Sequence, residues 1–168
     1  MCKKYVNANL SFFESIVSEN ETPLVFRNPF DEIKAQKNVN GEYQISSFQI
    51  LSNINVLGTD DISKQKDHIL YRTNGELNFI IRLTKCDHDP NKRFYFDLDE
   101  FTINIKELRD AHQIDGACFD FVNYARITKV LSFSVDCPGT YVVKLLVKEN
   151  TEEQYSVQFI KKLVIKKD

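Results

Sequence analysis

The residues best suited to chemistry stand together at Cys86-Asp-His88-Asp89. Thiolate and imidazole suit zinc, and the carboxylates of Asp97, Asp99 and Glu100 that follow suit calcium. Cys86, His88, Asp97 and Asp99 are therefore the candidate metal ligands, carried on segments 86–91 and 97–100. A site needs about four ligands at fitting distances, and no second Cys/His cluster accompanies the first. The same stretch also reads as a polar loop closed by Pro90. A Cys86–His88 nucleophile pair is disfavoured, because neighbouring loop side chains seldom align as nucleophile and base. Residues 97–120 hold seven acids against Lys106 and Arg109. Paired carboxylates hydrolyse glycosides only at a defined separation, which spacing here does not supply; a solvated acidic rim is the plainer account. No catalytic residue is assigned on this basis.

Lys161, Lys162, Lys166 and Lys167 cluster near the C-terminus. They suit phosphate or anionic lipid, but lysines on a terminal strand more often guard against edge-to-edge pairing. No Gly-rich phosphate loop, G-x-S-x-G or H-E-x-x-H is present. No cofactor is implied. The chain has 168 residues with a net charge of −2. Nine basic and ten acidic side chains lie in its first half, so no basic nucleic-acid-binding domain is expected. No stretch reaches the ~20 apolar residues of a membrane span. Asn7, Asn9 and Ser11 interrupt any apolar signal-peptide run. Four cysteines, at 2, 86, 118 and 137, have no C-x-x-C spacing. Free thiols in a cytoplasm are the expectation, with Asn- and Lys-rich composition pointing to a bacterial or phage source.

These side chains must be held by elements of period two. Leu77, Phe79, Ile81 and Leu83 share one parity; so do Phe94, Phe96 and Leu98, then Phe101, Ile103 and Ile105 after a slip at Asp99-Glu100. Tyr43–Asn53 slips similarly, and slips of this kind predict bulges or tight turns. Leu131, Phe133 and Val135, then Tyr141, Val143, Leu145 and Val147, then Tyr155, Val157 and Phe159, complete the set. Phe79, Ile81, Phe96, Leu131, Phe133, Val143 and Leu145 are the expected core. One segment differs: Leu10, Phe13 and Val17 fall at i, i+3, i+7, with Ser11 and Glu14 spaced as a capping box, which predicts a short helix over Ser11–Glu19. Asp31–Asn40 is polar and charged and reads as a linker or a short exposed helix. The chain thus divides into a helical and extended appendage, 1–39, and a β domain, 40–168.

The segment from Ile127 to Ile165 resembles the last three strands of an immunoglobulin-like sandwich. Asp136-Cys-Pro-Gly-Thr-Tyr141 is similar to the corner leading into strand F, where a Tyr bonds back to the backbone. The resemblance implies a mainly-β, antiparallel two-sheet sandwich, with Tyr43–Ile54 as strand A, Glu76–Lys85 as B, Arg93–Leu98 as C, Phe101–Ile105 as a C′-like strand, Ile127–Val135 as E, Tyr141–Lys148 as F and Tyr155–Ile165 as G. The chain lacks the Trp and mid-strand cysteines of that fold. C2-like and jelly-roll sandwiches share the same strand pattern.

Function is therefore expected from surfaces rather than from a catalytic motif. Ile80, Val142, Leu146, Ile160 and Val164 fall on the parity opposite the core stripe. Outward apolar residues on successive strands imply a covered patch. The expected interaction residues are Phe13, Val17, Val142, Leu146 and Ile160. Either the N-terminal helix covers the patch within the chain, or another protein or a second copy does. The first reading is a non-catalytic protein-interaction module; the alternative is a calcium- or zinc-binding module using loops 86–91 and 97–100.

Overall fold

A computed structural model describes residues 5–17, 25–57, 68–69, 74–86, 95–105 and 122–168. Its regular elements are all strands: β1 Val6–Val17, β2 Val25–Pro29, β3 Glu32–Lys37, β4 Tyr43–Leu57, β5 Glu76–Lys85, β6 Tyr95–Asn104, β7 Val122–Val135, β8 Gly139–Glu149 and β9 Ser156–Lys167. They form one sheet in the order β2-β1-β4-β3-β9-β8-β5-β6, with β7 on the other side of β4. The sheet curls into a half-barrel. Two sequence expectations are thereby corrected: the fold is not an immunoglobulin-like two-sheet sandwich, and no N-terminal helix is present among the described residues.

The sheet is continuous because of β3. Its Ala35 pairs antiparallel with Ile45 of β4 and parallel with Lys167 of β9. That strand, Glu-Ile-Lys-Ala-Gln-Lys, is the segment whose polarity reads as a linker. Its contribution lies in backbone hydrogen bonds on both edges, to which hydrophobic periodicity is blind. The hairpin into β4 is set by Asn38, whose side-chain oxygen accepts from the amides of Asn40 (2.9 Å) and Glu42 (3.0 Å). Gly41 completes it at φ 87°, where a Cβ is disfavoured.

The strand lettering implied by the resemblance also fails at one point that matters. Glu76–Lys85, placed as strand B, pairs with β6 and β8 and not with β7. The partner of β7 is β4, which had been placed as A. Sequence alternation identifies strands but carries no information on which strand lies beside which. The separate C and C′ strands are one strand, β6, with Leu98 as the extra residue between the pairs Ile81↔Asp99 and Arg82↔Asp97. The slip in β4 is a register shift between Ile45 and Phe48. A third shift lies between Leu145 and Leu146, opposite β9. Bulges increase local twist, and three of them help a sheet of this width to curl.

The N-terminal segment is a strand for a similar reason. Val6, Ala8, Leu10 and Phe12 are buried while Asn7 and Asn9 are exposed. That alternation is present in the sequence, but Phe12-Phe13 and Val17 also match a helical stripe. The edge of β4 decides between them: Val6↔Val56 through Phe13↔Gln49 pair without interruption. A strand bonded to a long neighbour outcompetes an isolated short helix, which is marginal in water.

The core lies on the concave face. Leu77, Phe79, Ile81 and Leu83 of β5, Tyr141, Val143, Leu145 and Val147 of β8, and Ile45, Phe48, Ile50, Ile54 and Val56 of β4 are all buried there. At ~1.5–3 kcal/mol for each buried large apolar side chain, this face is the main favourable contribution to folding. Of the seven expected core residues, five are buried; Phe96 and Phe133 are partly buried but pack against the rest. They belong to a run of rings crossing the interior: Phe12–Phe30 at 5.9 Å, Phe12–Phe48 at 5.8 Å, Phe48–Phe133 at 6.1 Å and Phe96–Phe133 at 5.9 Å. Strands β6 and β7 share no ladder. They meet through the last ring pair and through Lys129 Nζ, 3.4 Å from Asp99 Oδ2.

Two packing details have measurable consequences. Gly75 is buried just before β5, and a Cβ there would lie 2.7 Å from the Ile69 carbonyl oxygen. Gly75→Ala should lower stability by about 1–3 kcal/mol in a denaturant titration, because a backbone oxygen must move. Ser52 is fully buried on the concave face and its hydroxyl has no hydrogen-bond partner. Ser52→Ala removes that unpaired group, so the variant should unfold at the same or a higher denaturant midpoint.

Candidate functional site

The candidate metal ligands do not converge. Asp97 lies on the outer face of β6, opposite Arg82 of β5. The Arg82 guanidinium grips it with two bonds, Nε to Oδ1 at 2.6 Å and Nη2 to Oδ2 at 3.0 Å. This hydrogen-bonded pairing holds the Arg82 pKa above its usual value, against a smaller opposing effect of burial. The Tyr95 ring stacks under the same guanidinium at 4.1 Å. Asp99 lies on the far side of the bulge, turned to Lys129 of β7. Thus 97–100 is strand, not loop, and each aspartate already has a cation. Cys86 follows directly on β5, exposed and unbridged; His88 lies outside the described residues. No group of three metal-ligating side chains occurs among the described residues. Of the other histidines, His68 packs its ring against Tyr5 at 4.5 Å, a contact that no sequence motif announces.

The interaction residues separate into two places. Phe13 is half-buried on the outer face of β1, opposite Gln49 of β4. Val17 ends the same strand, and its side chain lies outside the described residues. Val142, Leu146 and Ile160 share the outer face of β8 and β9. There the register places Val142 against Lys162, Lys144 against Ile160, and Leu146 against Val157. Along β8 apolar and lysine side chains alternate; across to β9, Val142 and Ile160 each face a lysine while Leu146 faces Val157. Leu146 is buried beside Ile80 of β5, Val142 is half-buried, and Ile160 is 57% exposed. Lys148, at one end of the stripe, lies over the Tyr155 ring at 5.0 Å. Burial, with the nearby charges of Glu100 and Asp97, raises the Tyr155 phenol pKa, so this ring is neutral and a hydrogen-bond donor at ordinary pH. Among the described residues neither Lys144 nor Lys162 has a carboxylate partner. In contrast, Lys166 pairs with Glu32, and Lys161 reaches Asp31 at 2.8 Å.

A third group was not anticipated as a unit. At the β7–β8 corner, Tyr141 Oη donates to the Cys137 carbonyl at 2.6 Å, the local bond expected of the Asp136–Tyr141 corner. Beside it a cavity of about 310 Å³ is lined by Lys85, Phe96, Ser134, Val135, Asp136, Cys137 and Tyr141. Lys85 Nζ lies 2.6 Å from Cys137 Sγ. The two residues are 52 positions apart, and only the β5–β8 pairing, Lys85↔Tyr141, brings them together.

No protein-family model and no curated protein matches the sequence. Among solved structures, the chain is similar to a β-glucosidase from Listeria innocua in complex with isofagomine, at 11% identity and a TM-score of 0.42, covering 98% of this chain and 16% of that one. It is also similar to the CooA pilin subunit from enterotoxigenic Escherichia coli, at 9% identity and a TM-score of 0.36, covering 96% of this chain and 99% of that one. The chain thus spans about a sixth of the glucosidase's length. At these scores the likeness extends to a mainly-β chain and to nothing finer. No helix among the described residues is long and apolar enough to cross a membrane.

Proposed function

We infer that this chain is a non-catalytic binding module that holds a protein partner on the outer face of β8 and β9. The observation that carries the reading is Ile160, 57% exposed, with Lys144 opposite it and Lys162 opposite Val142. An exposed apolar side chain within an alternating apolar and cationic array fits a partner that presents aliphatic side chains interleaved with carboxylates. A second copy of the chain fits less well, because the same array would bring lysines against lysines. The scattering of Asp97 and Asp99 onto separate cations argues against a metal-dependent module. The reading keeps the cytoplasmic setting expected from the cysteines.

The test is a titration of isotope-labelled protein with a synthetic peptide of alternating glutamate and valine, followed by amide chemical shifts. Shifts should concentrate at Val142, Lys144, Ile160 and Lys162, weaken with added salt, and vanish in Ile160→Asp and in the Lys144→Glu/Lys162→Glu double variant. Shifts spread over the whole surface, or unchanged binding by both variants, would reject this face. Light scattering on the free protein should give a monomer; a dimer lost in Ile160→Asp would make a second copy the occupant instead.

A further inference from the structure

The amine of Lys85 and the thiol of Cys137 are in direct, close contact. Nitrogen-to-oxygen hydrogen bonds have a mode near ~2.9 Å, and sulfur is the larger atom, yet Lys85 Nζ and Cys137 Sγ are 2.6 Å apart. That is the separation of two atoms joined through a single bridging atom. Cys137 is half-buried, and its sulfur borders the cavity that also meets Phe96 and Asp136, which gives a small oxidant a route to it. The amine is presented from the end of β5 and the thiol from the β7–β8 corner, where Tyr141 Oη is bonded to the Cys137 carbonyl. Lys85 is thus held by the sheet and Cys137 by its bonded corner, so condensation costs little further ordering.

We propose that Lys85 and Cys137 form a reversible oxidative cross-link in which one oxygen bridges Nζ and Sγ, with a hydroperoxide as oxidant. The step balances with two equivalents of hydrogen peroxide. The thiol is oxidised to the sulfenic acid and the amine to the hydroxylamine, each releasing one water. Condensation of the two forms the S–O bond and releases a third water. Relative to the reduced protein, the product gains one oxygen and loses two hydrogens. Sulfur and nitrogen each give up two electrons, and the peroxide oxygens are reduced. Thiols open it by attack at sulfur: the S–O bond breaks, Lys85 leaves as its hydroxylamine, and a second thiol resolves the mixed disulfide to free the Cys137 thiol. A sulfenamide, the other condensation product open to a sulfenic acid beside an amine, loses two hydrogens and gains no oxygen. The bridge ties the end of β5 to the corner before β8 and fixes one wall of the cavity, so the oxidised chain should melt higher than the reduced chain.

The experiment is intact-mass spectrometry of the whole chain before and after hydrogen peroxide, followed by peptide mapping and by reduction with dithiothreitol. The expected product has the gain of one oxygen with loss of two hydrogens, joins the Lys85 and Cys137 peptides, and disappears on reduction. It should persist in Cys86→Ser and be absent from Cys137→Ser and from Lys85→Arg, whose guanidinium does not take the amine's place. Circular dichroism of the variants checks folding, and the wild-type mass result stands without them. A Cys86–Cys137 disulfide, a sulfenamide, a sulfinic acid at Cys137 formed equally in wild type and Lys85→Arg, or no product would each overturn the proposal.

Discussion

Replacing Ala35 with proline should cost about 3 kcal/mol or more, read as a lower denaturant midpoint and a lower melting temperature. Ala35 has no exposed surface, and it sits where the ladder to β4 overlaps the ladder to β9. Proline there removes an amide donor and forces a ring into a position with room for a methyl group. The β3–β9 ladder joins β4, with β1, β2 and β7, to β9, β8, β5 and β6. The change therefore acts on the whole half-barrel and not on one hairpin. At roughly 2–4 °C per kcal/mol for a chain of this size, the melting temperature should fall by at least several degrees. A polar linker over 31–40, as the sequence alone suggests, would accept proline with almost no change. A near-neutral Ala35→Pro would restore that reading and separate the sheet into two.

The second large effect is expected at Phe12. It is 1% exposed, contacts Phe30 and Phe48, and has Lys161 Nζ over its ring at 5.2 Å. Phe12→Ala should cost about 3–5 kcal/mol, from lost burial and the cavity left behind. Phe13, its neighbour on the outer face of the same strand, should cost much less when truncated. The pair discriminates between the two periodicities of the segment. A helix docked by Leu10, Phe13 and Val17 makes Phe13 the costly position and Phe12 the mild one; the strand makes the reverse ranking. Urea titrations of both variants decide it.

The same contrast shows how far the sequence carries. The alternation in Leu77–Leu83 and Tyr141–Val147 is sufficient to predict strands with those residues inward, and they are inward. The slips in β4 and β6 are visible as changes of parity, which predict a bulge or a tight turn, and the register makes both of them bulges. The bond of Tyr141 to Cys137 follows from a local corner motif. These are properties of a strand and its own side chains.

Which strand lies beside which is decided by backbone ladders, and those carry no residue-type signature. β3 was illegible because its contribution is two rows of hydrogen bonds under polar side chains. The N-terminal segment reads as helical in sequence because Phe12 and Phe13 satisfy either period, and pairing with the edge of β4 settles the choice. Asp97 and Asp99 look like paired ligands two positions apart, but the extra residue Leu98 sends one to Arg82 and the other to Lys129. Lys85 and Cys137 have no relation in the sequence at all; the β5–β8 register alone places the amine against the thiol. Sequence pattern therefore determined the strands from β4 onward, their inward faces and the bulges of β4 and β6, because each depends on neighbours along the chain. Tertiary pairing decided the half-barrel and the side-chain groupings on it, because those depend on contacts between residues the chain holds far apart.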